Sequence, residues 1–449
     1  MTINFGIRFD HQSDFANANT APASPFFGKA TYTGVYNNIT YSGAPFSQLP
    51  ALAFPGKNTG IVFKNWSPRI GITYDLLGDG RNVAKFNYSR YVSQLGSGGT
   101  LAGVYNTVVA TFVRYPWVDV NTDGFVQSNE IVPTAAPLSW TGGYDYNNPT
   151  ATSTTGTVDP GLKMETTDEI LLSFDRQIGT KFAVSASYIW RQYGNFRWDD
   201  RLNWTSANYE QTTFTPPATA CPAGSRCQTV TYYQPTSQIP TGYLRTNQPD
   251  FSRGYTGFEV SARKRMSSRW SANVSYAYND APVYYDSAAA YEDPTNIDKR
   301  NKGQFAEEST SSGLGNIFVN AKWIFRASGL YNTPLWDINV SGFYNARSGY
   351  PFIQTVLTPT RPFSAGQVGV FLDLLGDNRL PTFQTLDLRI DRSFTIWSRV
   401  KIVPAMDIFN LFNGSTELSI RGTQNASNAN TISSILAPRV IRFGARVTW

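Results

Sequence analysis

The chain consists largely of short segments in which apolar and polar residues alternate, and the connections between them are short and long in turn. The last segment, Arg439–Trp449, shows the pattern. Its apolar or small residues (Ile441, Phe443, Ala445, Val447 and Trp449) alternate with Arg442, Gly444, Arg446 and Thr448. Successive side chains of a β-strand point to opposite faces. The segment therefore predicts a strand with one apolar face and one face that carries arginines.

The same alternation recurs in about twelve segments, which we divide into an opening strand, five hairpins and a closing strand. Two of the hairpin turns are marked by Gly78-Asp79-Gly80 and by Ile178-Gly179-Thr180. A long polar connection is expected over residues 13 to 62. The fourth hairpin is expected to run from Ile317 to Tyr344, with Trp336, Ile338 and Val340 on one face and Asp337 opposite.

The order of the connections predicts the fold class. Connections of a few residues alternate with connections of about 25 to 70 residues, which is how up-and-down outer-membrane barrels are built. A soluble β-sandwich or propeller is the alternative, but such folds have no reason to gather every long loop at one end. We therefore predict an all-β, antiparallel transmembrane barrel with short periplasmic turns and long extracellular loops.

The composition agrees with that fold class. Aromatic residues make up 14% of the 449 residues and charged residues only 16%, whereas a typical globular protein is about a quarter charged. No apolar run reaches about 18 residues, which excludes membrane-spanning helices. The net charge of +6 comes from scattered basic residues, so a nucleic-acid partner is not expected.

Several motifs in the chain resemble those of one family. Residues 67–80 (SPRIGITYDLLGDG), 346–352 (ARSGYPF), 386–394 (LDLRIDRSF), 407–413 (DIFNLFN) and 438–449 (PRVIRFGARVTW) resemble the C-terminal barrel of Oar-like TonB-dependent receptors of Gram-negative bacteria. That resemblance implies a 22-stranded barrel, a plug domain, coupling to TonB and active uptake of an unidentified solute.

The opening residues bear on how much of such a receptor is present. Ile3–Asp10 already has a strand pattern, so we expect no signal peptide, plug domain or TonB box within the chain. Residues 1–449 are therefore predicted to be the C-terminal part of a receptor barrel in outer-membrane lipid, with the C-terminus in the periplasm. The alternative is a self-contained small pore or an adhesin-like barrel.

One motif predicts a metal site. The twelve residues from Asp119 to Glu130 match the spacing of a calcium loop, in which Gly124 allows the sharp turn. The expected oxygen ligands are Asp119, Asn121, Asp123, the Phe125 carbonyl, Gln127 and Glu130. The site would be a structural Ca²⁺ site in an extracellular loop. The alternative is a metal-free turn rich in Asp, Asn and Gly.

The remaining expectations concern the cysteines, the polar face and the C-terminus. Cys221 and Cys227 lie in a Pro/Gly/Ser-rich stretch and predict a surface disulfide. Nine polar residues are predicted to face the lumen: Arg69, Asp75, Asp387, Arg389, Asp391, Lys401, Asp407, Arg442 and Arg446. Phe443, Val447 and Trp449 are predicted to form the C-terminal strand signal for the barrel assembly machinery.

An enzyme is the second function class. His11 follows Asp10, but no G-x-S-x-G nucleophile motif lies near it. An outer-membrane phospholipase is therefore not favoured, and we predict no catalytic residues.

Overall fold

The computed structural model describes residues 1–23, 32–36, 39–43, 51–95, 101–105, 113–126, 130, 139–140, 156–305, 320–396 and 400–449. In this part of the chain, twelve strands of nine or more residues belong to one antiparallel sheet. We label them β1 to β12 in chain order: Thr2–Ala16, Lys57–Asp75, Asn82–Val92, Thr166–Ile178, Phe182–Gly194, Phe251–Ser267, Trp270–Asp280, Trp323–Asn332, Asn339–Arg347, Phe383–Asp391, Val400–Phe409 and Val440–Thr448.

Each strand pairs with the strands next to it in the chain, so the sheet is a simple up-and-down meander. Two short strands, Val283–Tyr285 and Phe394–Ile396, bring the total in the sheet to 14. Among the described residues, β1 pairs only with β2 and β12 pairs only with β11, which makes these strands the two edges of the sheet. The predicted all-β antiparallel fold of about twelve strands is confirmed.

The register separates two faces of opposite character. On one face, Val260 of β6 lies opposite Ala186 of β5 and Tyr276 of β7. On the other face, the neighbouring Ser261 lies opposite Ser185 and Ser275. The same division continues through the other strands, because the pairings keep the alternation in step except at two strand ends, where the register shifts between Ser13 and Phe15 and between Lys264 and Ser267. One face of the sheet is thus apolar and the other polar.

Two belts of aromatic side chains border the apolar face. The lower belt, near the short turns, contains Phe182, Trp270 and Tyr331, and the upper belt contains Tyr88, Trp190, Tyr278 and Trp323. Phe182 and Trp190 are eight residues apart on β5, which corresponds to about 27 Å along a strand. A strand tilted by about 40° would bring the belts about 21 Å apart across a membrane, close to the apolar band of outer-membrane barrels.

The connections alternate in length as predicted. The turns after β2, β4, β6, β8 and β10 are short, and the connections after the odd-numbered strands are long. The long connections contain further short strands: Asn19–Ala21, Tyr32–Tyr36, Ile39–Gly43, Leu52–Phe54, Val113–Arg114, Ser139–Trp140, Gly156–Val158, Arg197–Arg201, Tyr209–Phe214, Val230–Pro235, Tyr243–Asn247, Thr355–Leu357, Gly369–Phe371, Glu417–Ile420 and Ile432–Ile435. In an antiparallel meander all of these long connections lie at one end of the sheet.

Helical structure is confined to single turns. The described helices are Ala102–Tyr105, Ser206–Asn208, Ala218–Ala220, Ala288–Ala290 and Ile297–Arg300. In the described part of the chain, no helix has the length and apolar character needed to cross a membrane.

The hydrophobic clusters lie at the end of the sheet where the long connections gather. The first cluster combines the start of β2 with three loop segments: Ile61, Phe63, Leu101, Val104, Val158, Leu162 and Met164. The second is built from loop hairpins: Val230, Tyr232, Val356, Val370 and Leu372. The long connections therefore pack into a layer with its own core, which we call the loop layer. The apolar face of the sheet, by contrast, carries exposed side chains such as Phe5, Leu172 and Phe258.

Two sequence predictions about boundaries were wrong. Trp336 and Asp337 lie in the turn between β8 and β9 with positive φ values of 61° and 50° and not on the return strand. A hydrogen bond from the Thr333 amide to the Ile338 carbonyl closes this turn, and Pro334 within it has no amide hydrogen to donate to a ladder. The predicted start of that hairpin, Ile317, is outside the described residues.

The first long connection is also shorter than the predicted 13 to 62, because β1 continues to Ala16 and β2 begins at Lys57. Beyond the apolar band a strand end no longer needs alternating apolar residues. The strand pattern in the sequence therefore stops before the strand does.

Candidate functional site

A ladder of ion pairs runs across the polar face at β10, β11 and β12. Arg389, Asp407 and Arg442 lie opposite one another in the register. One oxygen of Asp407 accepts a hydrogen bond from Arg389 at 3.0 Å, and the other accepts one from Arg442 at 2.8 Å. Arg389 also donates to Asp391 at 3.1 Å. Four of the predicted lumen-facing residues are thus brought into one network.

The other predicted lumen-facing residues are spread over the same face: Arg69, Asp75, Asp387, Lys401 and Arg446. They do not join the ladder. Arg69 lies 5.2 Å from the centre of the Tyr91 ring. Asp75 accepts a hydrogen bond from the Gly80 amide at 2.6 Å and so caps the first short turn.

Sequence reading missed a second set of ion pairs on this face. Arg191 on β5 donates to Glu169 on β4 at 2.6 Å, and Lys85 on β3 donates to Asp175 on β4 at 2.7 Å. Their positions in the strand alternation already placed these residues on the polar face. Which of them lie opposite each other depends on the register, which the sequence pattern alone did not supply.

A cavity of about 590 Å³ opens in the loop layer. We call it the loop pocket. Its walls come from the hairpin Tyr209–Phe214/Val230–Pro235, from residues 291–301 and from residues 370–372. No sequence motif marks this pocket, because its walls are separated by up to about 160 residues in the chain and meet only through loop packing.

The two predicted cysteines are joined as a disulfide, Cys221–Cys227, in the long connection after β5. Within that small ring, Arg226 forms two hydrogen bonds to Asp373, one of them at 3.0 Å between Nη2 and Oδ1. The backbone amide of Arg226 also donates to Gln424 at 2.7 Å. The disulfide ring therefore connects three of the long loops. Hydrogen bonding from Arg226 is the main cause that holds the pKa of Asp373 below its usual value, against the opposing effect of burial.

Substitution of Arg226 by glutamine is expected to loosen the contact between these loops. The lowered pKa of Asp373 means that the ion pair stabilises the folded loops fully above the ordinary aspartate pKa of about 3.9 and is lost as the pH falls through the folded-state pKa. Limited proteolysis at pH 7 should therefore cut the Arg226→Gln variant several-fold faster than the unaltered protein. Acidification below the folded-state pKa of Asp373 should remove that difference. Equal cutting rates at pH 7 would contradict this assignment, and Arg265→Gln, near the end of β6 and away from these loops, is the control.

The predicted calcium loop lies in the connection after β3. Both oxygens of Asp119 accept backbone hydrogen bonds, from Asp123 at 3.2 Å and from Gly124 at 3.0 Å. Glu130 is fully buried, and its carboxylate accepts a hydrogen bond from the Val120 amide at 3.0 Å. The predicted ligand at position 127, Gln127, is outside the described residues.

The carboxylates of this loop are therefore turned towards its backbone amides. Among the residues that the structure describes, no group of three or more His, Cys, Asp or Glu side chains is placed to hold a metal ion.

The strand geometry separates the two residues that suggested catalysis. Asp10 and His11 are consecutive on β1, so their side chains lie on opposite faces of the sheet. Asp10 pairs instead with Arg8 at 2.7 Å.

The residues of the predicted C-terminal signal lie at the other edge of the sheet. Phe443 and Trp449 are exposed, by 76% and 93% of their surfaces, and with Val447 they belong to the apolar side of the chain end.

Comparisons with solved structures return outer-membrane transporters at low similarity. The outer membrane transporter YddB from Escherichia coli is 12% identical with a TM-score of 0.46, covering 99% of this chain and 51% of its own. The siderophore receptor PirA from Acinetobacter baumannii is 10% identical with a TM-score of 0.42, covering 86% and 41%. The chain thus spans about half the length of YddB.

The chain also matches a family of membrane β-sheet domains over most of its length. None of the curated proteins compared with the chain matches it. The model of the outer membrane beta barrel domain matches residues 1–373, which is most of the chain and includes β1 to β9. Such domains reside in the outer membrane of Gram-negative bacteria. The two-faced meander and this match agree, and the chain belongs to the outer-membrane β-barrel domain family.

Proposed function

We propose that the chain forms part of the barrel of an Oar-like TonB-dependent receptor that takes up a solute across the outer membrane. One combination of features carries this proposal. The sheet belongs to an outer-membrane barrel family, its polar face carries ion pairs, and a packed loop layer lies at one of its ends. A polar face lined by charged pairs suits a water-filled or plugged lumen. A folded loop layer with a cavity suits recognition of a solute before it enters. The resemblance of residues 67–80, 346–352 and 438–449 to such receptors supports the same proposal.

We also propose that residues 1–449 are the C-terminal part of a larger barrel. In the described sheet, β1 and β12 each have one neighbour. An unpaired strand edge in lipid leaves backbone groups without partners, at a cost of several kcal/mol each. Further strands supplied by a larger receptor would satisfy both edges, with the plug domain seated inside and the C-terminus in the periplasm. The barrel assembly machinery would then recognise Phe443, Val447 and Trp449 on the apolar side of the chain end.

Uptake by cells tests the first proposal. Gram-negative cells that carry the receptor gene, cells that lack it and cells without TonB are compared for accumulation of labelled oligosaccharides, oligopeptides and ferric chelates. We expect accumulation of at least one compound to require both the receptor and TonB, and to stop when the proton gradient is collapsed. Equal accumulation in all three strains contradicts the proposal. Accumulation that needs the receptor but neither TonB nor the gradient would indicate a passive pore.

Expression of residues 1–449 alone, behind an export signal, tests the proposal of a larger barrel. We expect protease-sensitive material without heat-modifiable migration, because the two edges lack partners. A compact, heat-modifiable species that conducts ions in planar bilayers would show that these strands close by themselves, in favour of the small-pore alternative.

We propose further that the loop from Asp119 to Glu130 binds Ca²⁺, on the strength of the residue types and their spacing. Terbium, which substitutes for calcium, should show luminescence sensitised by the nearby Trp117. We expect Asp119→Asn and Glu130→Gln to weaken terbium binding at least tenfold, since each removes a negatively charged oxygen ligand. Asp79→Asn, in a short turn, is the control. Unchanged luminescence in both loop variants would contradict the proposal.

A further inference from the structure

The loop pocket has the size and the polarity of a binding site for a small neutral molecule. Its volume of about 590 Å³ falls in the range of pockets that hold small ligands. Its walls carry the side-chain amides of Gln211 and Gln228, the hydroxyl of Thr231 and the rings of Tyr233 and Tyr291. Each of these side chains belongs to a polar or aromatic residue type without a formal charge. A wall of this kind offers hydrogen-bond donors and acceptors side by side, together with aromatic surface.

The walls are held in place by buried polar contacts. Asn296 is buried and donates from Nδ2 to the Gly369 carbonyl at 2.9 Å, while its Oδ1 accepts from the Phe371 amide at 2.7 Å. Thr295, also buried, accepts a hydrogen bond from the Tyr233 amide at 3.0 Å. These contacts tie residues 291–301 to the other two walls. The pocket is therefore a preformed feature of the loop layer.

The charges of the lining restrict which ligand fits. Among the residues that line the pocket, Lys299 is the cation and Asp298 the anion, and their side chains pair at 3.2 Å. A ligand with several negative charges, such as a ferric chelate, would need a group of basic side chains that this lining does not offer. A hydroxyl-rich neutral ligand matches it, because an amide side chain can both donate to and accept from neighbouring hydroxyls. A tyrosine ring, in turn, packs against the apolar face of a sugar ring.

We infer that the loop pocket binds a neutral oligosaccharide. This inference rests on the proposed function only in taking the loop layer to face the outside of the cell. It adds the chemical class of the solute and the residues that recognise it: Gln211 and Gln228 by hydrogen bonds, and Tyr291 by ring contact. Binding at this pocket selects the solute, whereas transport through the barrel is a separate step.

Calorimetry on the full-length receptor, purified in detergent, tests the inference with tetrasaccharides of glucose, xylose and N-acetylglucosamine. An uncharged tetrapeptide and ferric citrate serve as competing probes. We expect at least one tetrasaccharide to bind, and we expect Gln211→Ala and Tyr291→Ala each to raise its Kd at least tenfold. The matched control is Gln234→Ala, which removes the same side chain from the opposite face of the same hairpin and should change Kd less than twofold. Gln211→Glu keeps the size of the side chain but removes its amide donor, and so separates the loss of a hydrogen bond from a folding defect.

Three results would each overturn the inference. The first is that no tetrasaccharide binds, and the second is that only the peptide or ferric citrate binds. The third is that the pocket variants and the control have equal Kd values. The uptake experiment separates its failure from that of the proposed function. If a compound is taken up in a TonB-dependent way and the pocket variants do not change its uptake, only the inference is contradicted. If the pocket variants weaken tetrasaccharide binding but no compound is taken up, only the proposed function is contradicted.

Discussion

Val260→Arg is expected to lower the free energy of unfolding of the membrane-inserted protein by about 2–4 kcal/mol. Val260 lies on the apolar face of β6, directly opposite Ala186 and Tyr276. Ala186 is midway between Phe182 and Trp190, the belt residues of β5, so position 260 lies near the middle of the apolar band. A guanidinium at that depth cannot reach water without distorting the lipid or the strand. Reversible unfolding in lipid vesicles, followed by tryptophan fluorescence, measures the change.

Ser261→Arg is the matched control, because it places the same side chain one residue further along the same strand. Its neighbours are Ser185 and Ser275 on the polar face, so the new charge lies among groups that can solvate it. We expect a change of less than about 1 kcal/mol for this variant. If the two variants lose the same stability, the assignment of the two faces is wrong.

Deletion of Val440–Trp449 is expected to abolish assembly in the outer membrane. The deletion removes β12, which pairs with β11 over nine residues from Lys401 to Phe409. It exposes the backbone groups of β11 to lipid, each at a cost of several kcal/mol. It also removes Phe443, Val447 and Trp449, the residues predicted to direct assembly. The amount of heat-modifiable protein in the outer-membrane fraction measures the effect, and we expect it to fall at least tenfold.

Two point variants separate the backbone contribution from that of the side chains. Arg446→Ala keeps the strand and its apolar face, and should assemble like the unaltered protein. Phe443→Asp keeps the strand but places a carboxylate on the apolar face, and should assemble poorly. Normal assembly of the truncated chain would show that β12 is dispensable and would contradict this prediction.

The strand pattern and the fold class were predictable because both follow from local periodicity. The alternation in Ile441–Trp449 and the short turns at Gly78–Gly80 and Gly179 are encoded within a few residues. The boundary at Trp336 was not predictable in this way. An alternating pattern there continues through a turn that is closed by the hydrogen bond between Thr333 and Ile338.

The functional features were predictable to different degrees. The cysteines could be paired because they are close in sequence, and the polar face could be identified because it alternates with the apolar one. That Asp407 lies between Arg389 and Arg442 required the register of three strands. The calcium loop stays a prediction from spacing, since the described carboxylates contact backbone amides of their own turn.

By itself the sequence determined a two-faced antiparallel meander with long loops at one end, because a period of two and the spacing of turns are local properties of the chain. The tertiary structure alone decided which charges meet, how the loops pack into a layer with its own core, and where the loop pocket lies. Those features join Gln211, Asn296 and Phe371, residues that are distant in the chain. Contacts of that kind depend on how separate loops pack against one another, and no local pattern of residues encodes them.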